Sequence, residues 1–250
     1  MTDSQLILSI AILGGTGKEG KGLAYRWARA NYRVIIGSRT AEKAVTAANE
    51  IRELLGEEVS VTGLSNPEAA KEANIVVLTV PYSAHRDTLE SVKDELKGKI
   101  LIDVTVPLVP PKVATVQMPT AGSAAQEAKE IVGEGVQVCA AFQNISHEHL
   151  LDNADVECDV LVTGTSKEAR AETIKLVEAA GLRGWDAGPI ENSVVIEGLT
   201  SVLIGINKKY GSTHASKIIR GSFTGRTSRL FLPPLKAMLR TAPRSDRFRE

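Results

Sequence analysis

The run Ile10-Ala-Ile-Leu-Gly14-Gly15-Thr16-Gly17-Lys18-Glu19-Gly20-Lys-Gly22-Leu-Ala24 decides the fold. From Leu6 to Leu13 the chain is apolar without regular polar alternation, which predicts a buried strand. That strand runs into Gly15-x-Gly17-x-x-Gly20 and then into a helical pattern with Leu23, Ala24, Trp27 and Ala28 on one face. In this arrangement Gly15 makes the tight turn, Gly17 lets backbone approach a pyrophosphate, and Gly20 lets helix pack closely on strand. The helix start adds free N–H groups and a positive dipole end. Strand, glycine turn and helix together predict a dinucleotide site.

The next strand, Tyr32 to Ile36, leads to Gly37-Ser38-Arg39-Thr40, with Lys43 one turn further on. A pocket for the unphosphorylated cofactor places Asp or Glu here, to accept hydrogen bonds from the ribose 2′-OH. A hydroxyl, a guanidinium fork and an ammonium instead suit a 2′-phosphate. Cations at a positive helix end are also unfavourable unless an anion joins them. The expected cofactor is therefore NADP(H).

Alternation continues along the chain. Thr40 is the expected cap of a helix to Leu55, with Ala44, Ala47, Ala48, Ile51 and Leu55 on its inner stripe and Gly56 ending it. A short strand at Val59–Thr62 precedes a short helix opened by Asn66 as cap, Pro67 as first-turn proline and Glu68 as first-turn acid. Ile75 to Val80 and Ile100 to Val104 read as central parallel strands, with a helix from Ser83 to Leu96 between them. A further strand spans Val136 to Phe142. From Cys158 the pattern restarts: strand to Thr163, helix from Ser166 to Ala180, strand Leu182–Asp186, then a long apolar helix from Asn192 or Ser193 through Ile206. The expectation is an α/β, Rossmann-type doubly wound parallel sheet with a smaller C-terminal α/β region and a long buried helix. It divides as 1–150, an NADP-binding domain; 151–210, a smaller strand-helix-strand-long-helix domain; and 211–250, a basic tail. The long helix carries Val194, Val195, Leu199, Val202, Leu203 and Ile206 around most of its surface, which predicts burial in the core or, preferably, in a homodimer interface.

Composition narrows the classes. Among 250 residues 43% are hydrophobic, and the 4% aromatic content argues against a stacking platform for single-stranded nucleic acid. Net charge is zero but uneven: from Lys208 onward 11 basic residues meet two acidic ones, against 19 and 28 before it. This basic tail carries no nucleic-acid fold signature. Cys139 and Cys158 are too few for a disulfide framework and read as buried free thiols. His147-x-His149 lacks a third ligand at metal-binding spacing, so these residues read as polar lining of a loop. No signal-peptide pattern and no membrane-length apolar run is legible, and the expected location is cytoplasmic.

Two loops, Val80-Pro81-Tyr82 and Thr105-Val106-Pro107, fall at the same sheet edge as the glycine turn and are candidates for the nicotinamide end. With these residues quoted, the chain resembles the NADPH-dependent oxidoreductases of the deazaflavin coenzyme F420. The matching blocks are Leu13–Ala24, Gly37–Lys43, Leu78–Tyr82, Val106-Pro107, Asp186–Pro189 and Glu191–Ser193, within a likeness running from residue 7 to 210. The resemblance implies that Gly14, Gly15, Thr16, Gly17, Lys18 and Glu19 surround the pyrophosphate, and that Ser38, Arg39 and Lys43 hold the 2′-phosphate. Val80, Pro81, Tyr82, Val106 and Pro107 would flank the nicotinamide, and Asn144, Ile145 and Ser146 the acceptor. Lys18 and Glu19 are more charged than the family's pair, the loop from Phe142 to His149 is more polar, and nothing aligns after Tyr210.

The implied reaction is hydride transfer between NADP(H) and F420, with no side-chain nucleophile required. Arg86, Lys208 and Lys209 are candidates for a basic rim toward the acceptor's polyanionic tail. Two other readings remain open at this point: an NADPH-dependent reductase of an imine, a flavin or a ferric chelate, and a non-catalytic NADP(H)-sensing module.

Overall fold

A computed structural model describes residues 8–145, 150–151 and 158–210. Eight strands form one sheet: β1 Ser9–Leu13, β2 Arg33–Ser38, β3 Val61–Ser65, β4 Ile75–Leu78, β5 Ile100–Asp103, β6 Gln137–Ala140, β7 Asp159–Gly164 and β8 Arg183–Pro189. Their order is β3-β2-β1-β4-β5-β6-β7-β8, parallel throughout except for the antiparallel β6–β7 pair. Because the winding reverses between β1 and β4, the crevice of a doubly wound sheet opens at their carboxyl ends. The strands of the C-terminal region are hydrogen-bonded into this same sheet.

Among the described residues seven α-helices accompany the strands, the last following β8: α1 Lys18–Arg29, α2 Ala41–Leu55, α3 Asn66–Glu72, α4 His85–Val92, α5 Ala124–Val132, α6 Lys167–Ala179 and α7 Ser193–Tyr210. One face of the sheet packs Leu23 and Trp27 of α1, Ala44 and Ile51 of α2 and Leu176 of α6. The other packs Ala69 of α3, Leu89 of α4 and Ala125 and Ala128 of α5. The central strands β1, β2 and β4 are thus buried on both faces, as continuous apolar runs require. Trp27 joins the nucleotide half to the C-terminal region. It meets Phe142 edge-to-face at 5.9 Å, and its indole N–H donates to Leu176 O at 2.8 Å.

Several local readings shift. The cap of α3 is Ser65, not Asn66: its hydroxyl and the Glu68 carboxylate form a reciprocal capping box. Asn66 has another task, described below. Thr40 stands at the N-cap of α2 but makes no side-chain cap bond, whereas Ser38 Oγ accepts from Thr40 N at 3.3 Å. The segment expected as one helix from Ser83 to Leu96 is α4 flanked by 3₁₀ turns at Tyr82–Ala84 and Lys93–Leu96. In the chain alone α7 is buried on one side only. Ser193, Ile196, Glu197, Gly198, Ser201 and Leu203 face inward, while Val194, Val195 and Val202 are 38%, 71% and 45% exposed.

Candidate active site

The glycine turn is shaped by its own close contacts. Gly14 has φ +73°, and a Cβ there would lie 2.6 Å from Val80 Cγ1. A Cβ on Gly15 would meet Ile12 O at 2.7 Å, and one on Gly20 would meet Gly15 Cα at 2.6 Å. Gly17 differs. Its nearest neighbour would be Gly14 O at 3.5 Å, an ordinary contact, so no protein atom forbids a side chain there. What a side chain at Gly17 would fill is the space in front of the turn. Lys21 N to Gly17 O, at 2.9 Å, begins the α1 ladder and leaves the preceding helix-start N–H groups available to an anion. Thr16 is half-buried and Lys18 exposed. Glu19 is half-buried, and burial pushes its carboxyl up to about 8.

At the end of β2, Gly15 N donates to Gly37 O at 3.0 Å, which seats Ser38 beside the turn. Ser38 is buried, whereas Arg39 and Lys43 are exposed and have no ion-pair partner among the described residues. Asn66 reaches beneath this corner from α3, and its Oδ1 accepts from Gly14 N at 3.4 Å. A 2′-phosphate fits this donor set: two unneutralised cations and a hydroxyl at a helix start.

The loops after β4, β5 and β6 close on one another. Thr79 N donates to Leu13 O at 2.9 Å, tying β4 to the glycine turn, and Thr105 Oγ1 donates to Val80 O at 3.4 Å. Beneath them lies a sealed polar group. His85 Nε2 is 2.7 Å from Asp103 Oδ2, with the side chains 1% and 0% exposed. Asp103 Oδ1 accepts from Thr105 N at 2.9 Å, and Asp103 O accepts from Gln143 Nε2 at 2.8 Å. Burial pulls the His85 imidazole down, but the Asp103 carboxylate, with Glu127 behind it, raises it above its ordinary value. His85 Nδ1 and Gln143 Oε1 are buried without a partner among the described residues. Next to this group Glu127 accepts from Tyr82 Oη at 2.8 Å and from Arg86 at 2.5 Å. Glu197 of α7 accepts from Ala124 N and Ala125 N, at 2.7 and 3.1 Å, across the start of α5. Burial, with Asp103 adding to it, pushes the Glu197 carboxyl up to about 8.

Comparison with known proteins bears on this edge. Residues 9–107 match the family model described as NADP oxidoreductase, coenzyme F420-dependent. The F420-dependent NADP reductase of Methanocaldococcus jannaschii is 44% identical over 82% of this chain and 95% of its own. The chain belongs to the F420-dependent NADP reductase family. A second F420-dependent NADP reductase, from Methanothermobacter marburgensis, is 44% identical over 81% of this chain and 93% of its own. A solved structure from an Arthrobacter species, described as an F420-dependent NADP reductase, superposes with a TM-score of 0.67 at 25% identity, covering 81% of this chain and 95% of that one.

In this member of the F420-dependent NADP reductases Gly14–Glu19, Ser38, Arg39, Lys43, Val80–Tyr82, Val106, Pro107, Asn144 and Ile145 all lie at or follow the carboxyl ends of strands along one sheet edge. Ser146, His147 and His149 lie outside the described residues, as does the tail 211–250. Val80 and Val106 are half-buried, Pro81 is exposed and Pro107 buried. The Tyr82 hydroxyl is committed to Glu127, and burial together with that bond pushes it up to about 12. Asn144 uses its amide to dock α7, donating to Ile196 O at 3.2 Å and Thr200 Oγ1 at 2.8 Å. Ile145 packs against the Trp27 side of the core. Arg86 is not a free rim charge, since it pairs with Glu127 and Glu90; Lys208 and Lys209 are exposed at the end of α7. Cys139 is buried and Cys158 half-buried, both free, and burial pushes each thiol up to about 11. Sequence reasoning missed His85, Asp103, Glu127, Gln143 and Glu197. One signal was available: Asp103 is a carboxylate closing an apolar strand, where charge is rarely buried without a task.

Proposed function

We propose that this protein transfers a hydride between NADP(H) and the deazaflavin coenzyme F420. The observation that carries the reading is the pairing, along one sheet edge, of an open Gly17 cradle flanked by unneutralised Arg39 and Lys43 with the converging loops of Val80-Pro81 and Val106-Pro107. The name shared by the archaeal relatives favours F420 over an imine, flavin or ferric acceptor and over a sensor without turnover. When bound, the two coenzymes supply the chemistry, C4 of the nicotinamide and C5 of the deazaflavin exchanging the hydride. In this reading the backbone from Gly14 to Glu19 holds the pyrophosphate, and Ser38, Arg39 and Lys43 the 2′-phosphate. Val80, Pro81, Tyr82, Val106 and Pro107 surround the nicotinamide. Asn144, Ile145 and Ser146 belong to the acceptor side, where Asn144 sets the distance of α7 from the cleft. Half-buried aliphatic side chains such as Val80 and Val106 keep water from the transferring hydride.

Residues 1–150 would act as the NADP-binding unit and 151–210 as the unit that closes the acceptor side. Two copies would pair through the outward valines of α7, Val194, Val195 and Val202, an apolar face that a monomer leaves wet. The same reading sets the enzyme in the cytoplasm; among the described residues no helix is long and apolar enough to cross a membrane. The test is direct. Mixing protein, NADPH and F420 should bleach the visible band of the oxidised deazaflavin, and failure to do so with fresh coenzymes rejects the substrate assignment. Sedimentation of Val195→Glu against wild type tests the pairing, with an unchanged mass rejecting it.

A further inference from the structure

We propose that Asp103 is a positioning residue for hydride transfer, fixing the three strand-end loops around the reacting rings through His85, Thr105 and Gln143. The inference rests on the hydride-transfer reading above. One residue holds all three arms. Its Oδ2 meets His85 Nε2 at 2.7 Å at the start of α4, just after the Val80-Pro81 loop. Its Oδ1 accepts from Thr105 N at 2.9 Å, shaping the turn into Val106-Pro107. Its carbonyl accepts from Gln143 Nε2 at 2.8 Å, just ahead of Asn144 and Ile145. The third arm continues outward: Gln143 O accepts from Thr200 Oγ1 at 3.0 Å, so the position of α7 depends on the same junction.

Stability alone does not account for this arrangement. The carboxylate and the imidazole are sealed from water, and among the described residues His85 Nδ1 and Gln143 Oε1 have no partner. A well-packed apolar cluster would hold the sheet at least as well as a buried pair with such orphans. What directed bonds add is fixed spacing. Hydride transfer is steeply sensitive to the gap between donor and acceptor atoms, so a displacement of about 1 Å in these loops loses up to roughly a hundredfold in rate. Glu127 from α5 and Arg86 from α4 itself also act on the His85 charge, and Glu197 and Asp103 act on each other, but Glu127 is bonded to Tyr82 and Arg86, and Glu197 to Ala124 N and Ala125 N.

The experiment uses Asp103→Asn, which keeps an acceptor for Thr105 N while weakening the bond to His85. With NADPH and F420, kcat should fall roughly tenfold to a hundredfold. The KM for NADPH should change less than about threefold, because the phosphate contacts lie at the other end of the edge. The primary isotope effect with NADPH deuterated at the transferred position should rise as the hydride step becomes limiting. His85→Gln, which can still offer an N–H to Asp103, should retain more turnover than His85→Leu. If Asp103→Asn does not fold, Gln143→Met cuts one arm only and should lower kcat several-fold with the same unchanged KM. Turnover equal to wild type in the folded variant, or a loss appearing equally in NADPH affinity, overturns the proposal. A wild-type protein that leaves F420 unreduced overturns instead the function on which it rests.

Discussion

At the β1–β2 end of the sheet edge Arg39 and Lys43 stand exposed and, among the described residues, without an ion-pair partner, whereas at the β4–β6 end His85, Asp103 and Glu197 are sealed from solvent. Both ends are charged, but the charges do different physical work. Exposed cations attract a polyanion over several ångströms, tolerate imperfect geometry and are screened by salt. Buried groups interact more strongly and only with the partners built around them. Damage at the first end should therefore appear as lost affinity, and damage at the second as lost rate or altered stability.

The sharpest way to break that division is Gly17→Val. Because no protein atom crowds Gly17, the variant should fold with a melting temperature close to wild type. It should lose NADPH affinity by more than about a hundredfold, or 2.7 kcal/mol, as measured by calorimetry. A cofactor bound with unaltered affinity would mean the pyrophosphate lies elsewhere. Next comes Arg39→Ala, which should raise the KM for NADPH roughly tenfold or more, a lost charge-assisted contact of about 1.5–3 kcal/mol, while leaving NADH kinetics nearly unchanged. Equal losses with both cofactors would remove the 2′-phosphate from this corner.

Two predictions sharpen the buried end. Glu197 has its carboxyl raised from 4.5 to about 8, so the folded protein holds a proton there after the unfolded chain has released it. The stability this contributes is complete below pH 4.5 and is lost as pH rises toward 8. The raised His85 acts in the same direction, its share present below the ordinary histidine range and lost above it. Denaturant unfolding should thus show wild type weakening by roughly 1–4 kcal/mol from pH 5 to 8, with a shallower slope for Glu197→Gln. A slope identical in the two proteins would place the proton elsewhere. The smallest effect belongs to Tyr82→Phe, which removes a hydroxyl already bonded to Glu127. It should lower stability by about 0.5–1.5 kcal/mol and leave NADPH affinity within twofold, or about 0.4 kcal/mol. A large loss of affinity would show that the hydroxyl turns to the cofactor.

The contrast also explains what could be read in advance. The glycine turn and the Ser38-Arg39 corner lie on consecutive residues, so their chemistry is visible in a string. Strands and most helices were legible because apolar runs and caps such as Ser166 act locally. The α3 cap was misplaced by one residue although Ser65-x-x-Glu68 carried the capping-box pattern. Asn66 drew attention as a cap, yet its side chain serves Gly14, 52 residues away. The sealed cluster also assembles over long separations. Asp103 meets Gln143 across 40 residues, and Glu197 meets Ala124 across 73. Only the strand order brings them together. In α7 the valines drew the eye, but folding turns Ser193, Glu197 and Ser201 inward because each finds a polar partner or a close packing position there.

The two cysteines carry a practical consequence. With thiols held near 11, only about one molecule in ten thousand presents a thiolate at neutral pH. Electrophilic dyes and spin labels should therefore pass over Cys139 and Cys158. A reporter cysteine introduced at exposed Leu54 on α2 could then be labelled in the native background, without first removing either natural thiol.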